Sequence, residues 1–169
     1  MTSPSTYNWY AIYTASRNEK KVFDRLEKEG VSAFLPLIKK QRQWSDRKKW
    51  VEMPLFPSYL FVKISASEHL KVLKISGVVK FISFEGKAVS IPEKQIETIK
   101  AMILSGYELE STGEKFESGD KIRIAAGPLI GLEGIFVDYR GSKKVMIRIE
   151  QIGQSILLNV PASLIAKNS

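Results

Sequence analysis

Side-chain chemistry needs a nucleophile, a base or a metal cage, and this chain is short of all three. His69 is the only histidine and there is no cysteine. A Ser-His-Asp arrangement would have to use His69, yet no G-x-S-x-G turn presents a serine. There is no P-loop, no G-x-G-x-x-G, and no His/Asp/Glu grouping with metal-ligand spacing. The sequence therefore reads as a non-enzyme with no cofactor and no metal, and His69 as an ordinary helix or surface residue.

What the residues can do is bind. Residues 39–50, KKQRQWSDRKKW, carry six cations against one anion around a Ser45-Asp46 turn. Clustered Lys and Arg neutralise phosphates and release counterions. Arg42, Arg47, Lys48 and Lys49 are the candidates here, joined by Arg17, Lys20 and Lys21 on a first helix. Trp44 and Trp50 fit two roles, stacking on unpaired bases or covering the edge of the core. Residues 1–105 hold 18 Lys/Arg and 10 Asp/Glu, whereas residues 106–169 hold 8 of each, so the whole net charge of +8 lies in the first part. A basic region joined to a neutral one points to a polyanion for the first and a different partner for the second.

A second candidate surface lies at residues 53–64, MPLFPSYLFVKI. Pro54 and Pro57 bracket Leu55 and Phe56, and an apolar, β-prone run follows. Alternation puts Leu60, Val62 and Ile64 on a core face, and Tyr59, Phe61 and Lys63 on the other. That second face is too aromatic for idle solvent contact. It reads as a binding surface or, for Phe61 above all, as a second core layer.

The elements that must position these residues follow from periodicity and punctuation. Residues 9–14 (WYAIYT) predict a strand with Trp9, Ala11 and Tyr13 on one face. Ser16 and Glu19 spell a capping box for a helix ending near Glu29, before Gly30. Residues 31–38 are extended, 39–50 a hairpin, and about 67–75 a short helix. Residues 78–84 predict a strand, Glu85-Gly86 a turn, and Pro92 the start of a helix with Ile96, Ile99 and Ile103 at helical spacing. Residues 106–115 read as a polar linker. Beyond them, short strands separated by glycine turns predict a small all-β barrel. The first residues, 1–8, are small and polar, and read as disordered rather than as a signal peptide. No apolar run is long enough to span a bilayer, and the lack of cysteine fits a cytoplasmic protein.

Residues 116–134, FESGDKIRIAAGPLIGLEG, resemble a KOW motif, with an F-x-x-G-D opening, an alternating strand and G-P-L-x-G. W-Y-A-I-Y-T, the basic helix, P-L-F-P-S-Y-L-F-V-K at 54–63, G-V-V-K-F-I-S-F at 77–84 and Ile91-Pro92 together resemble the NGN domain of the NusG family. The resemblance covers residues 9–166 in order. It implies an α+β fold: an NGN domain at 7–105 (an antiparallel sheet flanked by helices), a linker at 106–115, and an SH3-like KOW barrel at 116–169. Within the family, the wording around Arg42 to Trp50 and Pro54 to Tyr59 is most similar to specialised UpxY-like and RfaH-like antiterminators of capsule or polysaccharide operons.

The resemblance further implies that Tyr13, Phe56, Pro57, Tyr59 and Phe61 bind the β′ clamp helices of RNA polymerase. It implies that the cations named above meet upstream or non-template DNA, and that the KOW domain recruits a ribosomal protein or Rho. The histidine-threonine cluster by which RfaH-like proteins read a DNA element is not reproduced between Ser65 and Ser76. The rival readings are a housekeeping NusG acting with Rho and a ribosome-associated KOW protein binding RNA. The second predicts a basic barrel, against the neutral 106–169.

Overall fold

The computed structural model describes residues 6–116 and 119–168. The expected disordered start therefore falls mostly outside the described residues, as do Glu117 and Ser118 of the F-x-x-G-D opening. Asn8 already belongs to a strand, paired with Ile64, so order begins earlier than expected. The chain divides into two compact units, at 1–96 and 97–169.

The first unit is built on an antiparallel sheet. Its strands are β1 (Asn8–Thr14), β2 (Ser32–Phe34), β5 (Tyr59–Ile64), β6 (Val78–Phe81) and β9 (Ser90–Ile91). The order is β2-β5-β1-β6, with β9 also pairing β1. Two helices belong to this unit, α1 (Glu19–Lys28) and α2 (His69–Leu73), and α3 (Glu93–Leu104) begins in it. Ile12, Leu60, Val62 and Ile64 of the sheet pack with Val22 and Leu26 of α1 and Val72 of α2. Leu60, Val62 and Ile64 thus form the core face that alternation predicts. His69 is packed between rings, 4.6 Å from Phe81 and 4.9 Å from Tyr10.

Two further hairpins stand apart from this sheet. One joins β3 (Leu37–Gln43) to β4 (Lys48–Pro54), and the other joins β7 (Ser83–Phe84) to β8 (Lys87–Ala88). The continuous strand expected at 78–84 is split at Ile82, whose N–H keeps a bond to β1, donating to Ala11 O, while its carbonyl turns away and accepts from Val89. Glu85 and Gly86 then turn the chain with φ of 52° and 79°, the pair of positive values that a tight I′ hairpin needs.

The capping box expected at Ser16 does not form. Arg17 takes φ 61°, the Asn18 N–H donates to Ala15 O, and the helix starts at Glu19 with Asn18 as its N-cap. Ser16 is spent in the preceding turn, where its carbonyl accepts from the Asn18 amide. A capping box occurs instead at Ser65 and Glu68, one turn before α2.

The second unit is all β apart from the end of α3 and short 3-10 turns. Its strands are β10 (Glu108–Thr112), β11 (Asp120–Ile124), β12 (Glu133–Tyr139), β13 (Ser142–Ile149), β14 (Gln154–Asn159) and β15 (Ile165–Lys167). They form one antiparallel sheet, ordered β10-β14-β13-β12-β11-β15. Gly134 lets β12 and β13 close, since a Cβ there would lie 2.9 Å from Met146 O. The linker expected at 106–115 is corrected. Glu108 to Thr112 pair with Asn159 to Ser155, and Leu109 is buried. The segment is polar because an edge strand keeps one wet face, and one buried leucine is a weak signal in sequence. The fold is α+β: a sheet-and-helix unit followed by an all-β unit.

Candidate functional site

The aromatic site is set by a tight turn between β4 and β5. The Tyr59 N–H donates to Phe56 O at 3.1 Å, closing a turn over Pro57 and Ser58. Proline suits the first central position of a type II turn, whose second needs φ > 0. Ser58 supplies that with φ 69°. The Ser58 carbonyl accepts from Thr14 N–H at 2.8 Å, which ties the turn to the end of β1.

Tyr13 and Tyr59 are thereby register partners, their rings 5.4 Å apart and edge-to-face at 74°. Lys80 of β6 pairs with Tyr13 from the other side. A row Tyr59–Tyr13–Lys80 thus crosses three strands on one face. The tyrosines are half-buried; Lys80 and Pro57 are exposed. An irregularity in the β1–β6 register beside Tyr13 leaves Val79 exposed nearby. Sequence reading missed Lys80 and Val79 because they belong to no motif; only the strand pairing brings them to the tyrosines.

Phe56 and Phe61 correct the expectation of five contact residues. They are 1% and 0% exposed, so neither side chain is on the surface. Phe61 stacks on Phe34 at 6.0 Å and meets Phe56 edge-on at 6.2 Å. Further along the same face, Trp9 Nε1 donates to Glu93 Oε2 at 2.9 Å and Lys63 Nζ lies 3.4 Å from that oxygen. The start of α3 therefore closes this end of the face. Phe61 is a second core layer, and only the Tyr13–Tyr59 end of the aromatic face stays open.

The cations lie on α1, in the turn before it and on the β3–β4 hairpin. Arg17, Lys20, Lys21, Arg42, Arg47, Lys48 and Lys49 are all exposed. Lys20 Nζ donates to Glu52 O at 3.0 Å, which brings the start of α1 against the base of the β3–β4 hairpin. In that hairpin Arg42 stands directly opposite Lys49. Like charges so placed destabilise a strand pair, so the arrangement favours an incoming anion. Trp44 and Trp50 are 51% and 65% exposed, so neither covers a core edge. Among the described residues, no three or more His, Cys, Asp or Glu side chains group to hold a metal, and no helix is long and apolar enough to cross a membrane.

Comparison with known proteins agrees with this architecture. A family model described as "Transcription termination factor nusG" matches residues 7–100. The transcription termination/antitermination protein NusG of Borreliella burgdorferi is 25% identical, over 94% of this chain and 97% of that protein. NusG of Chlamydia trachomatis is 29% identical over 85% and 86%. Among solved structures, that of "Domain interaction in Thermotoga maritima NusG" superposes with a TM-score of 0.59 at 22% identity, covering 97% of this chain and 98% of that one; it is a likeness of fold. With a family model matched over more than half its length, and with relatives spanning nearly all of it, this chain belongs to the NusG family of transcription termination/antitermination proteins.

Proposed function

We propose that this protein is a transcription elongation factor that holds RNA polymerase through the open aromatic end of its sheet and nearby nucleic acid through its basic hairpin. The observation that carries the reading is the Tyr13–Tyr59 pair. At the end of a face where Phe56 and Phe61 are buried, these rings stay half-exposed beside an exposed proline, and aromatic anchors of this kind carry most of the energy of an interface. Tyrosine suits the role, since its ring buries area while its hydroxyl finds a polar partner. The occupant we assign is the pair of clamp helices of the β′ subunit.

Phe56 and Phe61 act beneath this surface as its floor. The β3–β4 hairpin, with Arg42, Arg47, Lys48 and Lys49, meets DNA upstream of the polymerase or its non-template strand, with Arg17 and Lys21 alongside. No bond is made or broken. The factor binds the elongating state better than the paused state and shifts the population between them. The neutral all-β unit recruits a further partner, a ribosomal protein or Rho. We assign the protein to a restricted set of operons, on the likeness of its hairpin wording to specialised antiterminators.

Transcription in vitro through a terminator tests the reading. The intact chain raises readthrough by purified polymerase, and Tyr13→Ala with Tyr59→Ala removes the effect. Unchanged readthrough with that folded variant would overturn it.

A further inference from the structure

The β3–β4 hairpin has two faces of different chemistry. Register pairs Arg42 with Lys49 and Lys40 with Val51 on one face, and Gln43 with Lys48, Gln41 with Trp50 and Lys39 with Glu52 on the other. The first face is a field of cations. The second centres on the indole of Trp50, the more exposed of the hairpin's two tryptophans at 65%. Gln41 stands opposite it, and Gln43 and Lys48 form the next pair on that face toward the tip. Trp44 lies past the end of β3, where its N–H donates to Arg47 O across the turn.

Phosphate binding alone gives no role to the Trp50 indole. A tryptophan offers a π surface to any unpaired base, the glutamine amides carry both donors and acceptors for a base edge, and Lys48 carries a charge for a phosphate. We propose that Trp50 is a stacking platform for an unpaired base, so that the hairpin takes single-stranded nucleic acid on its Trp50 face and further phosphates on its Arg42–Lys49 face. This rests on the nucleic-acid reading of the hairpin and, of the two occupants named there, commits to the unpaired strand. Charge favours this occupant over a protein surface: residues 39–52 carry six cations and two anions.

The consequence is a preference for unpaired over fully paired nucleic acid, located in one residue. The test measures binding of the full chain to a labelled oligo-dT and to a blunt duplex of equal length, across a salt series. Trp50→Ala is expected to weaken oligo-dT binding roughly 5- to 100-fold and to leave the duplex within about twofold, with the salt slope unchanged. Trp50→Phe keeps most of the affinity, which separates stacking from a folding defect. Arg42→Glu with Lys49→Glu weakens both ligands and flattens the salt dependence.

If Trp50→Ala affects both ligands equally or neither, while the charge reversals still weaken binding, stacking is overturned and the nucleic-acid reading survives. If no variant changes binding, both are overturned.

Discussion

Tyr13 and Tyr59 stand opposite each other on neighbouring antiparallel strands, their rings meeting edge-to-face at 5.4 Å. What fixes this pair is backbone hydrogen bonding. The turn over Pro57 and Ser58 delivers Tyr59, the Ser58 carbonyl takes the N–H of Thr14, and the strand ladder does the rest. Edge-to-face pairs contribute about 0.5–1.5 kcal/mol beyond burial, so the two rings present one preformed surface rather than two independent side chains.

The floor of that surface is structural. Phe61→Ala and Phe56→Ala are each expected to lower stability by about 3–5 kcal/mol, the range for emptying a buried aromatic site. Tyr59→Ala, at a half-buried position, lowers it by less. Urea unfolding of the three variants checks the order.

Strain at the turn gives a second expectation. Ser58 sits at φ 69°, where a non-glycine L-residue carries a cost of about 1–2 kcal/mol. Ser58→Gly removes it but adds freedom to the unfolded chain, so a net gain of up to about 1 kcal/mol is expected. Gly77 behaves in the opposite way. Its φ is 98°, and a Cβ there would lie 2.6 Å from Val22 Cγ2 in the core. Gly77→Ala therefore loses at least about 1–3 kcal/mol, read as a fall in the melting midpoint.

Opposed cations trade stability for binding. Arg42 faces Lys49, and Lys49→Glu replaces a repulsive cross-strand pair by an attractive one, worth about 0.2–1 kcal/mol. The variant is expected to be as stable as the parent or slightly more so, and to bind nucleic acid more weakly with a shallower salt slope. Thermal melting and a salt titration on the same preparations check both halves.

The fold was legible where the signal was local. Alternation in residues 59–64 separated Leu60, Val62 and Ile64 from the other face, and the glycines of the second unit marked its turns. What the sequence could not divide was the aromatic face itself. Phe61 and Tyr59 lie on the same side of one strand. Phe34, Phe56 and the start of α3 decide that one is core and the other open, and all are distant in sequence or reached through a turn. The edge strand at Glu108–Thr112 was hidden in a similar way, since its partners lie near 155–159 and only Leu109 reports its buried side. Lys80 joins the tyrosines only through the pairing of β1 with β6. The hairpin was legible in charge, but its separation into two faces required the observed pairing.

The central claim is that the Tyr13–Tyr59 surface holds the polymerase, and its most direct test is the affinity of the full chain for isolated β′ clamp helices. Tyr13→Ala with Tyr59→Ala is compared with the parent and with Phe84→Ala, which alters an exposed aromatic on a different hairpin. The account predicts that the tyrosine variant, folded by its unfolding profile, loses at least about 30-fold in affinity, corresponding to the 2 kcal/mol or more of an interface hot spot, while Phe84→Ala binds as the parent does. Equal affinity of the parent and the folded tyrosine variant would contradict it.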